Sequence, residues 1–282
     1  MHLPSLLQAL AWACSAVAQT YPATVEFDVV FPRNETYAPT TLMPLVFAFR
    51  NSPAWIPLIP LLEWSIRILP TGEFVDYGAT DLAWGINTTT DPYFKFVSSQ
   101  ALTVEGNYML VWTLAYGNCT ADPYSDFEIL DIDYLHVNDT TNHTSFSIAK
   151  GAQAVDLAAA SSSCPAQQGM ALNVTTALKV GVTEEWKRRD VCGVLAHQQP
   201  SPKPCALQLD TAAASSIAAA LTASACSAPH PRYTGPCPPK PTQSTSAGTR
   251  TRGFATARLT SSAGIAVLII HALVFIGLVC SF

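Results

Sequence analysis

The chain has 282 residues, a formal net charge of −5, and 12% charged against 49% hydrophobic side chains. Fifteen Lys and Arg over this length make no basic face, which excludes a protein that works by neutralising nucleic-acid phosphates. A surface so short of charge needs another source of hydration, and attached glycans are the expected one.

Residues 1–18 carry an apolar run from Leu6 to Trp12 and then small residues. Ala16-Val17-Ala18 has the form of a signal-peptide cleavage site, which makes Gln19 the mature N-terminus. Secretion gives the cysteines a meaning. Cys14 leaves with the signal peptide, and Cys280 lies in the C-terminal apolar run. Cys119, Cys164, Cys192, Cys205, Cys226 and Cys237 remain, and an even number in an oxidising compartment predicts disulfides whose pairing the sequence leaves open. No pair has C-x-x-C spacing, and His136, His143, His197 and His230 form no ligand-like cluster, so no zinc site is expected, and no cofactor is assigned. N-x-S/T sequons at Asn34, Asn87, Asn118, Asn138, Asn142 and Asn173 predict solvent-facing positions wherever a glycan is attached. Asn118 is the weakest of them, because its middle residue is Cys119.

Residues 19–150 alternate like half-buried strands. Val25, Phe27 and Val29 interleave with Glu26 and Asp28; Trp64, Ile66 and Ile68 interleave with Glu63, Ser65 and Arg67. Period-2 runs of this kind place apolar side chains on one face of a sheet. Residues 108–116 are apolar throughout, as in a central strand buried on both faces. Residues 42–49 are similar, but Pro44 points to an edge or a bulge. In residues 54–62, Pro57 and Pro60 bar a regular central strand. Turn signals separate some eight short strands, which predicts a mainly β fold with an antiparallel β-sandwich-like ectodomain.

Residues 151–226 form a Cys-rich segment with short strands and one helix, either a separate module or the completion of the first domain. The helix is predicted over residues 210–225, with Asp210 or Thr211 as cap, an alanine body, and Ile217 and Leu221 one turn apart. Cys205 and Cys226 bracket it and are one conceivable pair. Glu184 to Arg189 contains dibasic pairs, read as a charged loop tip in preference to a processing site.

Six prolines fall in residues 227–246 among Ser and Thr, the composition of an extended, O-glycosylated stalk. Residues 263–282 are long and apolar enough to span a bilayer, but Arg250, Arg252 and Arg258 all precede them, on the wrong side for a secreted ectodomain held by one span. Small residues Ser246-Ala247-Gly248, a polar spacer of 14 residues and an apolar tail give the layout of a GPI-attachment signal, so residues 247–282 are expected to be removed and Ser246 to carry the anchor.

Chemistry is thin. Residues 126–134, DFEILDIDY, hold the densest acids, and Glu128, Asp131 and Asp133 are the candidates for a carboxylate pair acting on polysaccharide or for calcium ligands. The solvated face of a strand explains the same pattern. Of the tryptophans, Trp64 and Trp112 fall on apolar strand faces, whereas Trp55 and Trp84 lie in loop-like context and are the candidates for a sugar-stacking platform. Nucleophile-elbow, phosphate-loop and dinucleotide fingerprints are missing, so no catalytic residue is named.

FPRNETYAPTTLMPLVFAFRN (31–51), LNVTT (172–176), DVCGVLA (190–196) and PCALQLDTAAASSIAAALTASAC (204–226) together make the chain resemble an uncharacterised family of secreted, GPI-anchored fungal proteins carrying a domain of unknown function. Related sequences are glycine-rich where this one has Lys187-Arg188-Arg189. The resemblance implies fungal origin and secretion, and it carries over no catalytic residues. The expected function is that of a lipid-anchored cell-surface or cell-wall glycoprotein acting by display or binding, with wall polysaccharide or a surface protein as partner. The rivals are a wall-acting enzyme and an adhesin or effector.

Overall fold

The computed structural model describes residues 19–119, 135–162, 169–179, 191–203, 208–228 and 233–238. Their strands are, in chain order, β1 (Ala23–Phe31), β2 (Thr36–Tyr37), β3 (Met43–Arg50), β4 (Leu61–Leu69), β5 (Phe74–Asp81), β6 (Tyr93–Ser99), β7 (Gly106–Cys119), β8 (Leu135–Ile148), β9 (Met170–Lys179) and β10 (Val191–Leu195). The helices are α1 (Leu157–Ser162) and α2 (Thr211–Ser227). One sheet runs β10-β9-β1-β3-β6 and the other β2-β8-β7-β4-β5, antiparallel except for the short β2–β8 pair. This is the mainly β, sandwich-like architecture that the alternation predicts. β9 pairs along β1, from Ala23 opposite Val174 to Phe27 opposite Met170, so the first sheet draws strands from both segments of the chain.

The core lies between the sheets. Val25, Phe27 and Val29 of β1 and Leu45, Phe47 and Phe49 of β3 face Leu62 and Ile66 of β4 and Leu110, Trp112 and Leu114 of β7, all buried. The rings of Phe27 and Trp112 meet across the layers with centroids 4.8 Å apart. Burying each such side chain contributes about 2 kcal/mol.

α2 forms where the alanine run predicts it. The Asp210 side chain accepts a hydrogen bond from the Ala213 N–H, and the helix buries Ala214, Ile217, Leu221 and Ala225 along one stripe. α1 touches β1 and α2 touches β6, so the helices lie over the outer face of the first sheet.

That cover overturns one expectation. Glu26 and Asp28, read as the solvated side of β1, are 7% and 0% exposed. Residue 169, at the end of the β1–β9 ladder, lies so close beside β1 that a Cβ on Gly169 would stand 2.6 Å from the Phe27 carbonyl oxygen, and only glycine fits. Pro44 misleads in a second way, for β3 lies between β1 and β6 and is no edge. Its pairing with β1 ends at Phe31 opposite Val46, so at Pro44, opposite Ser98 of β6, no β1 neighbour waits for an N–H. β7 is central, but only one of its faces is fully buried; Val111, Thr113 and Ala115 on the other are half-exposed. Residues 52–58 form a 3-10 helix with Pro57 inside it, flanked by left-handed Asn51 and Ile59, so the prolines do keep this stretch out of the sheets.

Candidate functional site

Two places on the fold gather polar groups. The first lies beneath the helices. Arg50 meets Glu26 across the β1–β3 ladder at 3.1 Å, and Arg33, 1% exposed, approaches Asp28 at 3.8 Å. The Tyr37 hydroxyl accepts from the Arg33 N–H at 3.0 Å and donates to the Arg33 carbonyl, so the turn leaving β1 is tied to β2. Burial pushes the Asp28 carboxyl up to about 7, with the Arg33 guanidinium pulling the other way, and burial also raises the Tyr37 phenol. Among the described residues neither Asp28 oxygen has a hydrogen bond of good geometry, and the nearby Val29 N–H, like Arg33, pulls its pKa back down. Glu26, Asp28, Arg33 and Tyr37 are buried, and of this group only the Arg50 side chain reaches solvent.

The second place is the outer face of the second sheet, which no described helix packs against. The register sets out its side chains row by row, because directly paired residues point the same way. One row is Tyr77, Ser65, Val111 and His143 across β5, β4, β7 and β8; the next is Ala79, Glu63, Thr113 and Thr141; a third is Phe74, Arg67, Met109 and Ser145. Phe74 is 59% exposed and Tyr77 75%. The Arg67 guanidinium lies over the Phe74 ring, 4.4 Å from its centroid. The Thr113 and Thr141 hydroxyls share a hydrogen bond of 2.8 Å. A shallow groove of about 420 Å³ opens here, lined by Glu63, Ser65, Arg67, Phe74, Tyr77 and Thr113. Aromatic rings beside hydroxyls, a carboxylate and a guanidinium make an amphipathic surface suited to binding.

A larger hollow of about 930 Å³ lies between α1, α2 and the residues after β2. Its walls are mostly aliphatic, and its one acid, Asp156, accepts the backbone N–H groups of Ala158 and Ala159 at the start of α1. Among the described residues no group of three His, Cys, Asp or Glu side chains stands ready for a metal ion, and no helix is long and apolar enough to cross a membrane.

The tryptophan reading of the sequence is half wrong. Trp84 is 59% exposed, but it sits in the β5–β6 connection, off the open face. Trp55 is wholly buried, with its ring edge-on to Phe49 and its indole N–H donated to the Arg50 carbonyl. The exposed aromatics of the face are Phe74 and Tyr77, which period-2 reading passed over; a phenylalanine and a tyrosine close to Arg67 across one turn were the available signal. Glu128, Asp131, Asp133 and the Lys187–Arg189 stretch lie outside the described residues, as do residues 1–18 and the attachment region around Ser246.

Cys119 pairs with Cys192, and Cys226 pairs with Cys237. Cys226 is therefore not paired with Cys205, the conceivable pair that brackets α2. Cys164 and Cys205 lie outside the described residues. Asn34 and Asn87 are exposed in connections, and the Asn87 side chain accepts from the Thr89 hydroxyl and N–H of its own sequon. Asn118 accepts from the Leu195 N–H at 3.0 Å beside the Cys119–Cys192 bridge. Asn138 and Asn142 stand opposite Tyr116 and Trp112, on the side of β8 that looks toward the first sheet, and Asn173 stands opposite Thr24 on the helix-covered side of the first sheet. The asparagine of no sequon points to the open face.

No curated protein matches the chain. Residues 20–235 match the model of a family described as Domain of unknown function (DUF7136), and the chain belongs to that family.

Proposed function

We propose that this member of a family of unknown function is a secreted fungal surface glycoprotein, carried on a GPI anchor and acting by display or binding, with the open face of its second sheet as the binding surface. The carrying observation is the contrast between the sheets: helices lie over one outer face, while the other exposes Phe74 and Tyr77 beside Arg67. Exposed aromatic rings grouped on a rigid sheet mark an interaction surface. Two disulfides suit an oxidising compartment. The N-terminal apolar run, the six sequons and the layout of residues 246–282 suit a secretory route that ends in a lipid anchor. With every sequon asparagine pointing elsewhere, attached glycans would leave the face clear.

The test uses cells that make the full chain. Phosphatidylinositol-specific phospholipase is expected to release the protein from intact cells, and the released protein is expected to rebind wall or cell-surface material saturably. Peptides from residues 268–279 in the mature protein would exclude the anchor. Non-saturable rebinding would remove the binding reading and leave passive display.

A further inference from the structure

We infer that the open face takes a neutral, pyranose-based polysaccharide laid across β5, β4, β7 and β8, with Tyr77 and Phe74 as its stacking residues. This deepens the binding reading above and rests on it.

The footprint is the first argument. With the row Asp81, Leu61, Ala115 and Asp139 added, four rows of four side chains, at ~4.8 Å between strands and ~7 Å between like-facing residues, cover a field of about 14 by 20 Å. That suits a few sugar rings of an extended polymer and falls short of the ~800 Å² that each partner of a stable protein complex buries. Composition agrees. The aromatics stand at one margin, on β5; the two inner strands carry Glu63, Ser65, Arg67, Met109, Val111 and Thr113, and Thr141 follows on β8. A protein partner would want its apolar anchors at the centre with a polar rim. A sugar polymer wants an aromatic ring for the C–H face of one unit and hydroxyls for its neighbours. Thr113 and Thr141, already bonded to each other, each have hydrogen-bonding capacity left.

Charge is the second argument. Glu63 and Arg67 lie on one face of β4 with Ser65 between them, and Asp81 and Asp139 end the row of Leu61 and Ala115 at the β5 and β8 margins. One guanidinium among three carboxylates offers an acidic polymer no net attraction. It offers a neutral polymer a good donor and good acceptors. Arg67 already stacks on the Phe74 ring, a contact worth about 0.5–1 kcal/mol at an exposed site, which favours this arrangement of the two side chains before a ligand arrives.

The experiment measures retention of the full chain, made in a secreting host, on insoluble neutral β-glucan, chitin and mannan, and on an acidic polysaccharide of matched size. Wild type, Tyr77→Ala, Tyr77→Phe, Phe74→Ala and the off-face control Trp84→Ala are compared, each checked for an unchanged unfolding midpoint. Saturable retention on a neutral polymer is expected, weakened about tenfold by Tyr77→Ala, preserved in Tyr77→Phe and unaffected by Trp84→Ala. If the wild type is retained but Tyr77→Ala and Phe74→Ala bind equally well, the protein binds sugar elsewhere and this site is refuted while the binding reading survives. Retention on the acidic polymer alone refutes the neutral class. Saturable rebinding to cells through a protease-sensitive partner, with no retention on any polysaccharide, refutes the sugar and keeps the binding reading. Failure of both refutes both.

Discussion

Removing the Cys119–Cys192 bridge tests the fold most directly. The two residues are 73 apart in sequence, one at the end of central β7 and the other on edge strand β10. In the chain-entropy model a loop of that length lowers the entropy of the unfolded chain by ~15 cal/mol/K, or about 4.4 kcal/mol at 25 °C. The Cys226–Cys237 bridge closes an 11-residue loop, and the same relation gives about 2.8 kcal/mol. The native state adds a second cost to the first bridge alone: Cys119 and Cys192 are each 1% exposed and pack against Leu178, so truncation also leaves a small void. The variants to compare are the double substitutions to alanine, which introduce no buried hydroxyl. Urea unfolding of the secreted protein, followed by tryptophan fluorescence, should show the Cys119/Cys192 variant losing on the order of 4 kcal/mol and the Cys226/Cys237 variant about 3 kcal/mol. The reverse order, or a loss below about 1 kcal/mol for the long bridge, would refute the loop-closure reasoning.

Three further perturbations probe other levels of the structure. Trp112→Ala empties the centre of the core where the indole meets Phe27, and should cost about 3–5 kcal/mol in urea unfolding, whereas Trp84→Ala on the surface should stay within about 0.5 kcal/mol. Asp210→Ala removes the side chain that caps α2 and should cost about 1 kcal/mol, read as a lower thermal midpoint. Asp28 holds its proton in the folded state up to about pH 7 against 3.8 when unfolded, so between those values the folded state binds the extra proton and stability falls as pH rises. Comparing unfolding free energies at pH 4.5, 6 and 8 should show a shallower decline in Asp28→Asn than in the wild type; parallel curves would refute the assignment.

Much of the fold is written locally. The period-2 runs around Val25, Trp64 and Tyr108 each read as a strand because a sheet buries every second side chain whatever it packs against. Asp210 and the alanine run behind it read as a helix because capping and alanine propensity act within a single turn. The sequence could say that paired cysteines and a sandwich were coming, from counts and spacing alone. It could not say which neighbour each strand would take. Pro44 looks like an edge residue and lies on an interior strand, since only the register against β1 reveals that no ladder bond is missed there. Asp28 looks like a surface residue and is wholly buried, since the helices that cover it come from more than a hundred residues later in the chain. Trp55 looks like an exposed platform and fills the core, while Phe74 and Tyr77 become a surface only once β5 is laid beside β4. Periodicity tells which side chains share a face, and that is a property of the backbone. Which face meets water depends on what else packs there, and that is settled by contacts between residues far apart in the chain.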